Sequence, residues 1–238
     1  MKTLLIGLAL GLRHGTDADH LTAIDGLSRI RPRATNGLYF ALGHGLVVTI
    51  LAVGLGRIVA DRVAFLGPWL LIFIGGLNLL RLFRPPASRP VQRPVVAQPF
   101  VLGMLLAAGF ETASQFSAMI LAGETNPWLL GAVFTAGMVA VDGIDGLLAA
   151  STQRLAASGA QQAQRASRAL GVLVVVFAFG LGGAELEGLN LDRFALPLGL
   201  SLFAIVILIR LMARRPGRPA ALAFPPAEVR TTAGQRLL

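Results

Sequence analysis

Between Leu10 and Asp25 the sequence reads LGLRHGTDADHLTAID. Two of the three histidines, His14 and His20, and three acids, Asp17, Asp19 and Asp25, sit there in a run that is otherwise apolar, from Thr3 to Leu12 and again from Leu21 to Ile24. An ionisable side chain at bilayer depth costs at least ~2.5–3.5 kcal/mol on insertion scales. Four or five in one span therefore argue against a lipid-facing helix and for side chains that face a protein interior and hold something.

The spacing narrows what is held. At ~100° per residue, His14, Asp17 and His20 fall within one helical arc of roughly 120°, with Asp19 off it. Gly15 is where the helix is expected to loosen. Two imidazoles with carboxylates form a mixed nitrogen and oxygen donor set, which suits Ni²⁺, Co²⁺, Zn²⁺ or Cu²⁺ better than Mg²⁺ or Ca²⁺. The other reading is a helix-end cluster fixed by hydrogen bonds and ion pairs, with Arg13 as partner.

The rest of the chain agrees with a membrane setting. Of 238 residues, 55% are hydrophobic and 14% charged, against about 25% charged in a soluble domain, and mean hydropathy is +0.70. We expect an all-α integral membrane protein, a polytopic bundle of about seven transmembrane helices. The spans are placed near 3–24, 36–56, 65–83, 99–121, 128–150, 169–188 and 194–212. Residues 1–212 are then expected to form one transmembrane domain and 213–238 a flexible cytoplasmic tail. Lys2 and Thr3 to Leu12 resemble the start of a signal peptide, but Arg13 and His14 follow in place of a small-residue cleavage site, so Met1 is expected to open the mature chain. With no cysteine there is no disulfide framework and no thiolate site.

Arginines mark one side of the bundle. Arg29, Arg31 and Arg33 follow the first span. Arg84, Arg89 and Arg93 lie in a Pro-rich linker after the third. Arg154, Arg165 and Arg168 follow the fifth, and Arg210, Arg214, Arg215 and Arg218 surround the end of the seventh. The positive-inside rule puts the N-terminus outside and the C-terminus in the cytoplasm of a multi-pass inner (plasma) membrane protein. Topology thus explains the net charge of +9, and no nucleic-acid partner is expected. An offset of 95 pairs Leu10, Ala18 and Ala23 with Leu105, Ala113 and Ala118. An offset of 94 pairs Phe40 and Gly43 with Phe134 and Gly137. These identities fit a 3+3 inverted repeat plus one helix, an architecture of secondary transporters, and equally fit chance similarity between Gly/Ala-rich helices.

Other polar groups lie inside spans. His44 sits in FALGHGLVV, Glu111 and Gln115 share a face one turn apart, and Asp142 and Asp145 share a face three residues apart in FTAGMVAVDGIDG. The last two could equally be a helix-end pair serving loop arginines. Asn78 reads as a packing or hydrogen-bonding residue.

HGTDADH resembles the signature of the nickel/cobalt transporter family, a histidine, four residues, then Asp-His, matched here by His14, Asp19 and His20 with Arg13 and Asp17 in the extended pattern. Three weaker motifs follow in the family's order: Phe40, Gly43 and His44; then Gly109, Phe110, Thr112 and Ala113; then Phe134, Ala136, Gly137, Met138, Asp142, Asp145 and Gly146. The departures are Gly15 for alanine, Gly45 for serine, and Glu111 with Gln115 for an acidic pair. The chain also looks shorter than the family's usual eight spans, starting at the second.

The resemblance implies a permease that takes Ni²⁺ or Co²⁺ inward as substrate, with no cofactor. Its metal residues would be His14, Asp17, Asp19, His20 and His44, and Glu111, Gln115, Asp142 and Asp145 would line the path. No P-loop sequence is present to supply ATP. A membrane metalloenzyme would need more histidines or His-Glu-x-x-His, so no enzyme is expected. A non-transporting accessory protein for urease or hydrogenase maturation, docking a cytoplasmic metallochaperone, is the alternative.

Overall fold

The computed structural model describes residues 1–53, 65–83, 98–109, 123, 125–189 and 191–214. Every regular element among them is a helix: α1 (Lys2–His14), α2 (Ala18–Ile30), α3 (Asn36–Ala52), α4 (Leu66–Phe83), α5 (Pro99–Gly109), α6 (Pro127–Ala157), α7 (Gln161–Leu186) and α8 (Asp192–Ala213). This is an all-α membrane bundle. Helices α4, α6, α7 and nearly all of α8 are long and apolar enough to cross a bilayer, while α3 and α5 are shorter apolar helices. Their outer faces carry exposed apolar side chains such as Phe73, Ile144, Val176 and Leu208. The expected fifth span starts where expected, with Pro127 in its first turn and Asn126 Oδ1 accepting from the amides of Trp128 and Leu129, a strong N-cap. It then runs on to Ala157. Its 31 residues measure roughly 46 Å, more than the ~30 Å hydrocarbon core, so α6 is longer than an upright crossing requires.

The first crossing corrects the expectation of one continuous helix over 3–24. It is two helices of 13 residues each, about 20 Å apiece and each too short to cross alone. Gly15 is not the break: its backbone stays helical at φ −61°, ψ −13°. The chain turns at Asp17, extended at φ −63°, ψ 148°. Local bonds close the turn, with Thr16 N and Thr16 Oγ1 donating to Arg13 O and Asp17 N to His14 O. Irregular backbone at membrane depth survives only when buried in protein. Gly199 of α8 provides that cover, packed so closely that a Cβ there would overlap Thr16 O.

Helix α2 is the axis of the bundle. All residues from Ala18 to Ser28 are buried, although they include Asp19, His20, Thr22, Asp25 and Ser28, and α3, α4, α6, α7 and α8 surround it. Polar side chains thus point inward and apolar ones outward to lipid, as the cost of charge in hydrocarbon demands.

Small residues let the backbones around this axis touch. A Cβ on Gly11 would overlap Phe134 O, and one on Gly137 would overlap Leu8 O. A Cβ on Gly43 would overlap Phe100 O, and one on Gly103 would overlap Phe40 O. The two Phe-x-x-Gly segments related by the offset of 94 thus each receive a neighbouring helix in the same reciprocal manner. Pairings of Gly7 with Leu130, Gly11 with Phe134 and Gly15 with Val141 show α1 parallel to α6. Those of Gly37 with Asp142, Gly45 with Thr135 and Thr49 with Gly131 show α3 antiparallel to it.

Two arginines counted with the basic side, one after the first span and one at the end of the seventh, lie on helices and turn inward. Arg29, on α2, donates through Nε to Asn78 Oδ1 and through Nη1 to Ser167 Oγ and Ser167 O. Arg210 is buried in the bundle. Asn78 is the hydrogen-bonding residue expected, donating in turn to Ile74 O and Gly26 O.

Candidate metal centre

The break between α1 and α2 sets the geometry of the site. It leaves His14 as the last residue of α1 and lifts His20 into the first turn of α2, so both rings reach the same interior point. There they meet His44 from the middle of α3. All three are fully buried. Ring centroids lie 4.5 Å apart for His14 and His20, 4.9 Å for His14 and His44, and 4.5 Å for His20 and His44. One ring nitrogen from each lies within 4.8 Å of the other two. Donors sharing one cation at bonds of about 2.0–2.1 Å are at most about 4.2 Å apart, so small side-chain adjustments close the cage.

Carboxylates fix the rings. His14 Nδ1 donates to Asp17 Oδ2 at 2.8 Å, and His20 Nδ1 donates to Asp142 Oδ2 at 3.0 Å. A carboxylate only accepts, so Nδ1 carries the proton in both rings and Nε2 keeps its lone pair. His14 Nε2 lies 2.9 Å from His44 Nε2, which must then be the donor in that pair. His20 Nε2 is buried with no hydrogen-bond partner among the described residues. Carboxylate-held imidazoles presenting a lone pair inward are the usual outer support of metal-ligating histidines.

The acids take distinct places around the three rings. Asp17 serves His14 from behind, and Asp142, expected on an onward path, holds His20. Asp19 is buried in the first turn of α2, near enough to His20 to act on it electrostatically, with Oδ2 unpartnered among the described residues. Asp145 does not join the cage. Its Oδ1 accepts from Arg210 Nη1 at 2.6 Å, while Arg210 Nη2 donates to Asp25 Oδ1 at 2.9 Å. Neither Asp142 nor Asp145 serves a loop arginine. Arg13 makes no ion pair among the described residues, so the cluster is not the Arg13-fixed one considered above. Glu111 and Gln115 lie outside the described residues.

Sequence reasoning missed Phe40 and Phe134. Phe40 stands edge-on to His20, with centroids 5.0 Å apart, and Phe134 tilts over His14 at 5.5 Å. Together they wall the cage with apolar surface. The signal was available, since both belong to the Phe-x-x-Gly segments already noted. Asp25 and Arg210 were visible as residues but not as partners.

Comparison with known proteins agrees with this chemistry. Residues 1–64 match the NicO family model, described as high-affinity nickel-transport protein. The chain is 29% identical to a high-affinity nickel transport protein of Cupriavidus necator, over 82% of this chain and 72% of that one. It is 28% identical to the hydrogenase nickel incorporation protein HupN of Bradyrhizobium diazoefficiens, over 82% of this chain and 66% of that one. A cobalt transport protein, NhlF of Rhodococcus rhodochrous, is 42% identical over 55 residues, which is 21% of this chain and 15% of that one. No solved structure gives a significant match.

Proposed function

We propose that this chain, a relative of the nickel/cobalt permeases by motif and by match, carries Ni²⁺ or Co²⁺ across a cytoplasmic membrane, inward, through the His14–His20–His44 cage. The observation that carries the reading is the convergence of three imidazole nitrogens within 4.8 Å at the fully buried centre of the bundle. Neutral nitrogen donors hold a borderline transition-metal ion and reject Mg²⁺ and Ca²⁺, which take oxygen. Asp17 and Asp142 set the tautomers, and Asp19 adds negative charge beside the cage. Asp145 lies on the remainder of the route.

The driving force needs no nucleotide. One charge gains ~2.3 kcal/mol per 100 mV, so a dication gains ~4.6 kcal/mol, more than a thousandfold in concentration at equilibrium. The arginine-bearing end faces the cytoplasm; the tail expected over 213–238 lies, from residue 215 on, outside the described residues.

Uptake of ⁶³Ni²⁺ by the purified protein in liposomes with an inside-negative potential tests the reading. Accumulation that collapses with the potential supports it. Tight binding with no accumulation sinks transport. That result would instead favour an accessory role, the reading encouraged by the relative described as a nickel incorporation protein, in which the basic loops dock a metallochaperone.

A further inference from the structure

Outside the cage, a further group of charged side chains is buried among the described residues. Arg210, Asp25 and Asp145 are each no more than 2% exposed. The guanidinium fork spans two carboxylates from different helices, Asp145 on α6 and Asp25 on α2. Asp145 lies one turn beyond Asp142, a rise of about 4.5 Å, and Asp25 five residues beyond His20, about 7.5 Å. Both displacements run toward the ends that carry Arg154 and Arg29. The triad therefore sits between the cage and the arginine-bearing end, in line with the route.

One guanidinium is shared between two carboxylates, so when both are ionised one buried negative charge has no counterpart within the triad, which is costly. Asp145 Oδ2 is buried and accepts nothing among the described residues, and the same holds for Asp142 Oδ1 one turn nearer the cage. A divalent cation would neutralise the two carboxylates fully, where the guanidinium neutralises half. The pair is already arranged around a positive charge, and that charge is tethered.

We propose that Asp25 and Asp145 form a second, oxygen-only station for the transported divalent cation, and that Arg210 is its resident plug. The guanidinium yields the pair to the passing ion and returns behind it. A guanidinium is suited to this because it stays charged at any physiological pH and its fork spans both acids. The proposal rests on the reading of the histidine cage as the ion's first binding place.

Equilibrium dialysis of ⁶³Ni²⁺ against the purified full-length chain tests it. The wild type is expected to bind one ion, at the cage. Arg210→Ala is expected to bind two, and Arg210→Ala with Asp145→Asn one again. A folded Arg210→Ala protein that binds a single ion, at wild-type affinity, overturns the plug and leaves the cage standing. A wild type that binds none, or a His14→Ala variant that binds as well as the wild type, removes the cage instead. Should Arg210→Ala fail to fold, Arg210→Lys keeps the charge without the fork. It is expected to take a second ion at higher free nickel, and one ion at saturation overturns the proposal.

Discussion

Asp142 and Asp17 differ from the histidines they serve in what their loss should cost. Neither joins the three-nitrogen cage; each accepts the Nδ1 proton of a histidine that does. Asp142→Asn preserves shape and volume but removes the charge that fixes the tautomer of His20. Nickel affinity measured by titration calorimetry should fall about 10–100-fold, the usual effect of losing an outer partner, with the fold retained. His20→Ala removes a donor outright and should cost more. Equal losses for the two variants would mean that Asp142 is itself a ligand. Protonated imidazole cannot coordinate, so affinity should also fall as pH drops below the ordinary histidine range near ~6.5. A flat profile down to about pH 5 would exclude the histidines.

The helices are held by backbone contacts at glycine, and this makes a sharp contrast between positions. Gly11 and Gly43 meet the backbone of a neighbouring helix, whereas Gly76 has nothing within 4 Å of where a Cβ would sit. Gly11→Leu and Gly43→Leu should lower stability by at least the ~1–3 kcal/mol of an overpacked core, read as an early thermal transition in detergent. Gly76→Leu should be near neutral. The broken first crossing was only half legible for a related reason. Apolar segments flank the polar stretch on both sides, over Thr3–Leu12 and Leu21–Ile24, and helical spacing alone puts His14, Asp17 and His20 on one arc. What breaks the helix is a tertiary preference: Asp17 leaves helical geometry while its carboxylate turns back to His14. Arg210 was misread because Arg214, Arg215 and Arg218 follow it, which made it look like a membrane-edge flank. Its two acids lie 65 and 185 residues away in sequence, beyond the reach of any local pattern.

For the molecule as a whole, the span pattern and the polar-in arrangement were readable because hydrocarbon tolerates few alternatives. The convergence of His44 with the other two histidines was suggested by scarcity, there being only three, but its distance from them needed the folded bundle. Sidedness can be checked directly, since the chain has no cysteine. Ser158→Cys, in the turn between α6 and α7, should react with a membrane-impermeant thiol reagent only in inside-out vesicles. Leu189→Cys, beyond α7 and exposed, should react only from the outside of intact cells. The reverse pattern would overturn the sidedness read from the arginines. The most direct measurement of all is X-ray absorption at the nickel edge on the loaded, purified protein. The expected spectrum carries the outer-shell scattering of about three imidazole rings, as the His14–His20–His44 cage requires, and loses ring scattering in His44→Ala. A shell of oxygen alone, unchanged by that substitution, would contradict the cage as the place where the ion is held.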